Sequence, residues 1–216
     1  MRQRKVKNES EKLAALEEYM VKDGRERKGQ WRKSFTFQNE VKRELYLEIG
    51  CGRGHFLTTL ANNYPKRCYI GVEGRSSIVL RTLELINNKG LSNVLCIAEF
   101  IEDPRDYFEK EELDGIYLNF SDPWPKVRHA KRRLTHRSFL EGYKYILKPG
   151  SFLEIKTDNA DLFAFTLEEL EAVGMDLVER SDDLHRSDLT SRSITTQYEE
   201  RFLLLNKKIF YCKVKV

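Results

Sequence analysis

The chain has 216 residues, of which 40% are hydrophobic and 33% charged, with 12 Gly and 5 Pro; this excludes disordered and fibrous classes and fits one soluble domain with or without a short extension. At this length folding hides roughly 70% of the unfolded surface, so a sizeable core forms without staples or metals. Lys and Arg outnumber Asp and Glu by 38 to 34, a net +4 that says little about partners until the charges are placed along the chain.

Residues 1–44 carry 13 Lys/Arg and 8 Asp/Glu and show helical periodicity only around Leu13, Leu16 and Met20. They read as a basic N-terminal extension, with the boundary drawn at 1–40 and the catalytic-type domain at 41–216. From Leu45 the texture changes to short apolar runs, Leu45 to Ile49, Cys68 to Val72, Val94 to Ala98 and Gly115 to Phe120, the pattern of buried parallel strands. Between and after them lie helical stretches at Gly54 to Asn63, Ser76 to Lys89 and Thr135 to Leu147, the last opened by a Thr135 cap. Lys148-Pro149-Gly150 stops that helix, Phe152 to Lys156 resumes strand character, and Ala160 to Val173 is helical up to Gly174. Arg201 to Leu205 and Lys208 to Val216 read as a final hairpin turning at Asn206-Lys207. Strands alternating with helices predict an α/β, doubly wound, mostly parallel sheet.

Cys51, Cys68, Cys96 and Cys212 form no C-x-x-C pair, and the histidines show no ligand spacing, so no metal site is expected and a reduced, cytoplasmic setting fits. No apolar h-region follows the charged start, and the longest apolar run is the five residues Val94 to Ala98, so neither secretion nor membrane spanning is expected.

Leu45-Tyr-Leu-Glu-Ile-Gly-Cys-Gly-Arg-Gly54 runs a strand into Gly50, Gly52 and Gly54, where missing side chains allow a tight turn and close approach of backbone to a ligand. The dinucleotide fingerprint G-x-G-x-x-G is broken, because His55 holds its last place. Glu48 puts a carboxylate beside the loop, which suits a ligand with cationic groups, such as S-adenosylmethionine, better than a pyrophosphate. Glu73 ends the second strand and is placed to accept from ribose hydroxyls, a feature that nicotinamide dinucleotides and adenosylmethionine share. Glu99, closing the third strand, is placed to accept from an adenine amino group.

Leu118-Asn-Phe-Ser-Asp-Pro-Trp-Pro-Lys126 follows the fourth strand, and its two prolines present Asp122 and Trp124 rigidly at the sheet edge where chemistry is expected. Residues 126–137 then hold six Lys/Arg, two His and no acid, a cluster that fits an anionic polymer substrate better than a solvated loop. Asp158 leaves the next strand at the same edge and also suits a helix cap. Glu199 offers acceptors for guanine N1 and N2 donors.

These segments together, Glu48-Ile-Gly-Cys-Gly-x-Gly, Gly-Val-Glu73, Ser-Asp122-Pro-Trp-Pro-Lys126, Arg128-His-x-Lys-Arg-Arg, Lys-Thr-Asp158-Asn and Thr196-x-Tyr-Glu199, resemble the bacterial tRNA (guanine-N7)-methyltransferase family over about residues 40 to 205. The resemblance implies a Rossmann-like class I methyltransferase with a central seven-stranded sheet, helices on both faces and an antiparallel last strand. It implies methyl transfer from S-adenosyl-L-methionine to N7 of the variable-loop guanosine, position 46, of tRNA. By matching motif it places Glu48, Gly50, Gly52, Gly54, Glu73, Glu99 and Asp122 at the cofactor, with Asp122 catalytic. It places Lys126, Arg128, Lys131, Arg132, Arg133, Asp158, Thr196, Tyr198 and Glu199 at the tRNA. Val127 stands where the family often carries another basic residue. A nicotinamide-dependent oxidoreductase and a non-catalytic RNA-binding subunit are the rival readings, and monomer and homodimer are both open.

Overall fold

The computed structural model describes residues 7–35, 43–190, 194–196, 199, 202 and 204–216. Its strands are β1 (Met20–Val21), β2 (Leu45–Ile49), β3 (Cys68–Val72), β4 (Val94–Ile97), β5 (Leu113–Asn119), β6 (Leu147–Thr157), β7 (Asp176–Ser181) and β8 (Phe210–Lys215). Its helices are α1 (Glu9–Ala14), α2 (His55–Asn63), α3 (Ser76–Asn88), α4 (Arg137–Ile146) and α5 (Ala160–Ala172). The described strands form one sheet in the order β1-β4-β3-β2-β5-β6-β8-β7, and β8 runs antiparallel to both its neighbours while the other pairings are parallel.

β2 is buried along its whole length, which is why it reads as an unbroken apolar run and not as an alternation. Leu45, Leu47 and Ile49 face the cluster that α4 and α5 cover through Phe139, Leu140, Tyr143, Ile146, Phe163 and Leu170. Tyr46 faces the opposite side, with Phe56, Leu57 and Leu60 of α2 and Val79, Leu83 and Ile86 of α3. The period of two along the strand thus sends Glu48 to the α2 face with Tyr46.

Three sequence expectations change. The sheet gains an eighth strand, because Met20–Val21 adds to its edge beside β4. The partner of the last strand is not Arg201 to Leu205: the described residues there, Glu199, Phe202 and Leu204, are helical, and β8 pairs with β6 and β7 instead. Thr135 does not cap α4. The cap is His136, whose Nδ1 accepts from the Ser138 N–H at 3.2 Å, while the buried Thr135 hydroxyl accepts from Thr166 Oγ1 at 2.8 Å.

The described part of the N-terminal region is bound to the core and not appended to it. Trp31 has no exposed surface, stacks on Phe108 at 5.5 Å and donates its indole N–H to the Tyr107 carbonyl at 2.8 Å. The Glu112 carboxylate accepts from the N–H groups of Gly29, Trp31 and Glu109. Asp114 accepts from Arg32 at 2.7 Å and from the Leu45 N–H at 2.8 Å, and also pairs with Lys148, so it ties this segment to the first residues of the sheet. Replacing Trp31 by Ala is therefore expected to destabilise the protein by about 3–5 kcal/mol, read as a lower urea midpoint with little change in slope.

Candidate active site

The strand order reverses between β2 and β5: the chain leaves β2 toward β3 and β4 on one side and returns to place β5 on the other. The crevice at the carboxyl ends of these two strands is where an open α/β sheet binds ligands. The glycine loop closes one side of it. Gly50 (φ 79), Gly52 (φ 57) and Gly54 (φ 74) all take the left-handed conformation that side chains resist. A Cβ on Gly54 would also lie 2.3 Å from Thr82 Cγ2, and Thr82 secures the loop by donating to the Gly52 carbonyl at 2.8 Å.

Glu48 is 2% exposed. Its Oε1 accepts from Asn119 Nδ2 of β5 at 2.9 Å, so the bond spans the switch point, while Oε2 is buried with no hydrogen-bond partner. Burial pushes this carboxyl up to about 7, against the opposing influence of the Asn119 hydrogen bond and the Lys156 charge. A buried carboxylate oxygen without a partner, beside a loop of bare backbone, has the chemistry that would suit a cationic group.

Glu73 leaves β3 with its Oε1 accepting from the Arg75 N–H at 3.0 Å. Burial raises its pKa. The N–H groups of Arg75 and Gly52 oppose that rise, whereas the charge of Asp122 adds to it, so Glu73 neighbours both the glycine loop and Asp122. Glu99 is differently engaged. It accepts from the Tyr107 hydroxyl at 2.7 Å and pairs with Arg25 at 3.3 Å, whose guanidinium lies 4.6 Å over the Tyr107 ring.

The Asp122 turn is strained and clamped. Phe120 (φ 53) and Trp124 (φ 41) both take left-handed conformations unusual for large residues. The Phe120 N–H donates to the Lys156 carbonyl at 2.8 Å on one side. On the other, Arg133 donates to the carbonyls of Pro123 at 3.0 Å and Trp124 at 3.1 Å. Asp122 itself is exposed. Arg132 lies 5.0 Å over the Trp124 ring, and Val127–Arg132 form a 3-10 helix that leaves Lys126, Arg128, Lys131 and Arg132 exposed. Arg137 is pinned to Glu169 at 2.8 Å. Arg133 and Arg137 therefore make contacts within the protein, whereas sequence alone groups them with the other bases of the run.

Asp158 does not cap α5. Asn159 does, accepting from the Leu162 N–H at 2.7 Å, and Asp158 pairs with Lys207 at 3.5 Å. Glu199 has no exposed surface: both its oxygens lie 3.2 Å from Lys156 Nζ, and Oε2 accepts from the Thr196 N–H at 2.6 Å. An outward-facing acceptor for guanine is not what this geometry presents. Tyr198 lies outside the described residues. Asn119 and Lys156 are residues of the crevice that sequence reasoning passes over, and Arg133, expected at the tRNA, grips the Asp122 turn instead. Asn119 and Lys156 stood inside the quoted motifs, but no spacing signals their partners. Among the described residues no group of His, Cys, Asp or Glu is placed to hold a metal, and no helix is long and apolar enough to cross a membrane.

Solved structures with the same fold include an antibiotic-related methyltransferase, with a TM-score of 0.57 and 20% identity over 80% of this chain and 87% of that one. Another is a SAM-dependent methyltransferase from Aquifex aeolicus, with a TM-score of 0.55 and 15% identity over 97% and 98%. A sheet of this order belongs to the Rossmann-like methyltransferases that use S-adenosyl-L-methionine. Residues 42–212 match the family described as "Putative methyltransferase". The tRNA (guanine-N(7)-)-methyltransferase of Clostridioides difficile is 38% identical over 216 residues, 100% of this chain and 99% of that one, and that of Lachnoclostridium phytofermentans is 40% identical over 93% and 92%. The chain belongs to the tRNA (guanine-N(7)-)-methyltransferase family, which removes the nicotinamide alternative.

The raised Glu48 carboxyl sets a pH dependence of definite sign. A group whose folded pKa lies above its unfolded value adds stability at low pH that is lost as pH rises through the folded value, here about 7. A cationic ligand favours the charged form, so its affinity rises over the same interval. Calorimetry with S-adenosylmethionine should show affinity increasing about tenfold between pH 6 and 8 in the native protein and staying flat in Glu48→Gln.

Proposed function

We propose that this protein transfers a methyl group from S-adenosyl-L-methionine to N7 of the variable-loop guanosine, position 46, of tRNA, and that it does so in the cytoplasm. The observation that carries this reading is the Asp122 turn, held between the cofactor-side carboxylates and a run of exposed bases. Glu48, the loop of Gly50, Gly52 and Gly54, and Glu73 fit the methyl donor: Glu48 offers an orphaned acceptor to a cationic group, and Glu73 a strand-end carboxylate to ribose hydroxyls. Glu99, held through Oε2 by Arg25 and Tyr107, offers its other oxygen to an adenine amino group. When bound, the donor supplies a methyl group activated by its sulfonium.

Guanine N7 has an in-plane lone pair and no proton, so its attack needs no prior deprotonation. What develops is positive charge on the base. Asp122, rigidly presented between Phe120 and Trp124, holds the guanine in line and stabilises that charge. The variable-loop base must leave its tertiary pairing to reach this edge, because side chains cannot read N7 in a deep A-form groove. Contacts from Lys126, Arg128, Lys131 and Arg132 to phosphates offset that unstacking, which costs a few kcal/mol. Arg133 assists by holding the turn.

Asp122→Asn should lower kcat for tRNA methylation by about 100-fold or more while tRNA affinity changes little, as single-turnover assays and filter binding would report; native-like turnover would remove Asp122 from catalysis. The triple substitution Lys126→Ala, Arg128→Ala, Lys131→Ala should weaken tRNA binding and reduce the slope of log affinity against log salt by about two units, leaving adenosylmethionine affinity unchanged. An unaltered slope would show that this face is only solvated surface.

A further inference from the structure

We propose that Phe165 of α5 is a positioning residue for methyl transfer: its ring is the platform on which Arg133 lies while that arginine grips the Asp122 turn. This deepens the tRNA-methylation reading, and its catalytic half rests on that reading.

The short stretch that ends the basic run is docked on one face of α5. Leu162, Phe165, Thr166 and Glu169 recur at i, i+3, i+4 and i+7 and so share that face. The Phe165 ring lies 4.3 Å from the Arg133 guanidinium and stacks with His136 at 6.4 Å. Thr166 Oγ1 donates to Thr135 Oγ1 at 2.8 Å, and Glu169 pairs with Arg137 at 2.8 Å. Both threonines have no exposed surface, so water does not compete for that bond. Residues 133–137 are thereby fixed to a helix that lies outside the Asp122 turn, and Arg133 is the one among them that reaches back to it.

Arg133 Nε and Nη2 donate to the carbonyls of Pro123 at 3.0 Å and Trp124 at 3.1 Å. A guanidinium donates within its own plane, so a ring against its flat face supports it without competing for those N–H groups. Phe165 is partly buried and offers no polar atom; the face of its ring is what it contributes. The turn needs such support, because Phe120 (φ 53) and Trp124 (φ 41) are held in left-handed conformations. β6 fixes the near side through backbone alone, whereas the far side depends on a long side chain whose direction the α5 ring sets. Arg132 and His129 pack on the Trp124 ring at 5.0 and 5.7 Å, and those contacts hold the indole and not the carbonyls. Without the ring Arg133 is free to turn to solvent, and the backbone directly after Asp122 loosens.

The test compares the native enzyme with Phe165→Leu, Phe165→Tyr, Arg133→Lys and the double variant Phe165→Leu/Arg133→Lys. Methylation of unmodified tRNA gives kcat and KM, and acrylamide quenching of the free enzyme reports the turn. Trp31 and Trp124 are the two tryptophans, and Trp31 has no exposed surface, so a change in quenching belongs to Trp124. Phe165→Leu should lower kcat about 3- to 30-fold, the range that a cation–ring contact supports, and should raise quenching. The KM for tRNA and the adenosylmethionine affinity should stay within about two-fold of native. Phe165→Tyr keeps the ring and should keep native kcat and quenching. In the Arg133→Lys background Phe165→Leu should lower kcat no further, because the two residues act as one device. Should Phe165→Leu not fold, Phe165→Met carries the same comparison. Native kcat or native quenching without the ring would overturn the inference, as would an equal loss in Phe165→Tyr or independent losses that add in the double variant. Absence of tRNA methylation by the native enzyme would overturn the functional reading and the catalytic half of this inference, while quenching would still decide whether the ring holds the turn.

Discussion

Glu48 is a carboxylate in a place that water does not reach, and the active crevice is arranged around that fact. One oxygen is held by Asn119 across the switch point and the other is left without a partner. In a folded protein such a group is costly unless a ligand or a nearby charge compensates it. The bare glycine loop leaves room beside it, and the buried Lys156 supplies compensating charge. The same lysine's backbone anchors the turn that carries Asp122, so the electrostatics around Glu48 and the geometry of that turn are linked through β6.

A second constraint acts at the opposite end of the strands. Asp114 draws Arg32, Lys148 and the first N–H of β2 together, and Trp31 fills the core above Phe108. The described N-terminal residues then run along the sheet edge as β1 and bring Arg25 to Glu99 at the exit of β4. A segment rich in charge is thereby an integral wall of the domain, fixed by one buried indole and a set of shared carboxylates. Glu99 Oε2 takes both the Arg25 guanidinium and the Tyr107 hydroxyl, so one carboxylate ties this segment to the carboxyl end of β4.

The central strands were readable because parallel strands buried on both faces leave continuous apolar runs; Leu45–Ile49 and Cys68–Val72 match the predicted bounds residue for residue. β7 escaped notice for the opposite reason: Leu177 and Val178 are both half-exposed at a register irregularity, so no alternation survives. The Leu-rich tail suggested strand from composition, yet its described residues are helical, in keeping with the Thr196–Glu199 capping box. Strand-end position and residue type sufficed to place Glu48, Glu73 and Asp122 at the carboxyl edge of the sheet. They did not suffice for Glu199, because a carboxylate is assigned to the surface by default and only a three-dimensional arrangement reveals a buried lysine waiting for it.

The turn itself shows how strain and electrostatics divide the work. Two large residues with positive φ flank Asp122, and each such conformation is unfavourable by about 1–3 kcal/mol, so the turn does not hold its shape alone. Arg133 grips its far side through two carbonyls, and β6 grips its near side through the Phe120 N–H. The neighbouring cations that remain outward, Lys126, Arg128, Lys131 and Arg132, repel one another in the free protein and are relieved by an anionic partner. These outward cations adjoin Arg133 in the chain segment that follows Asp122. A basic run that at first reads as a uniform electrostatic surface is in fact divided, residue by residue, between holding the turn and facing outward.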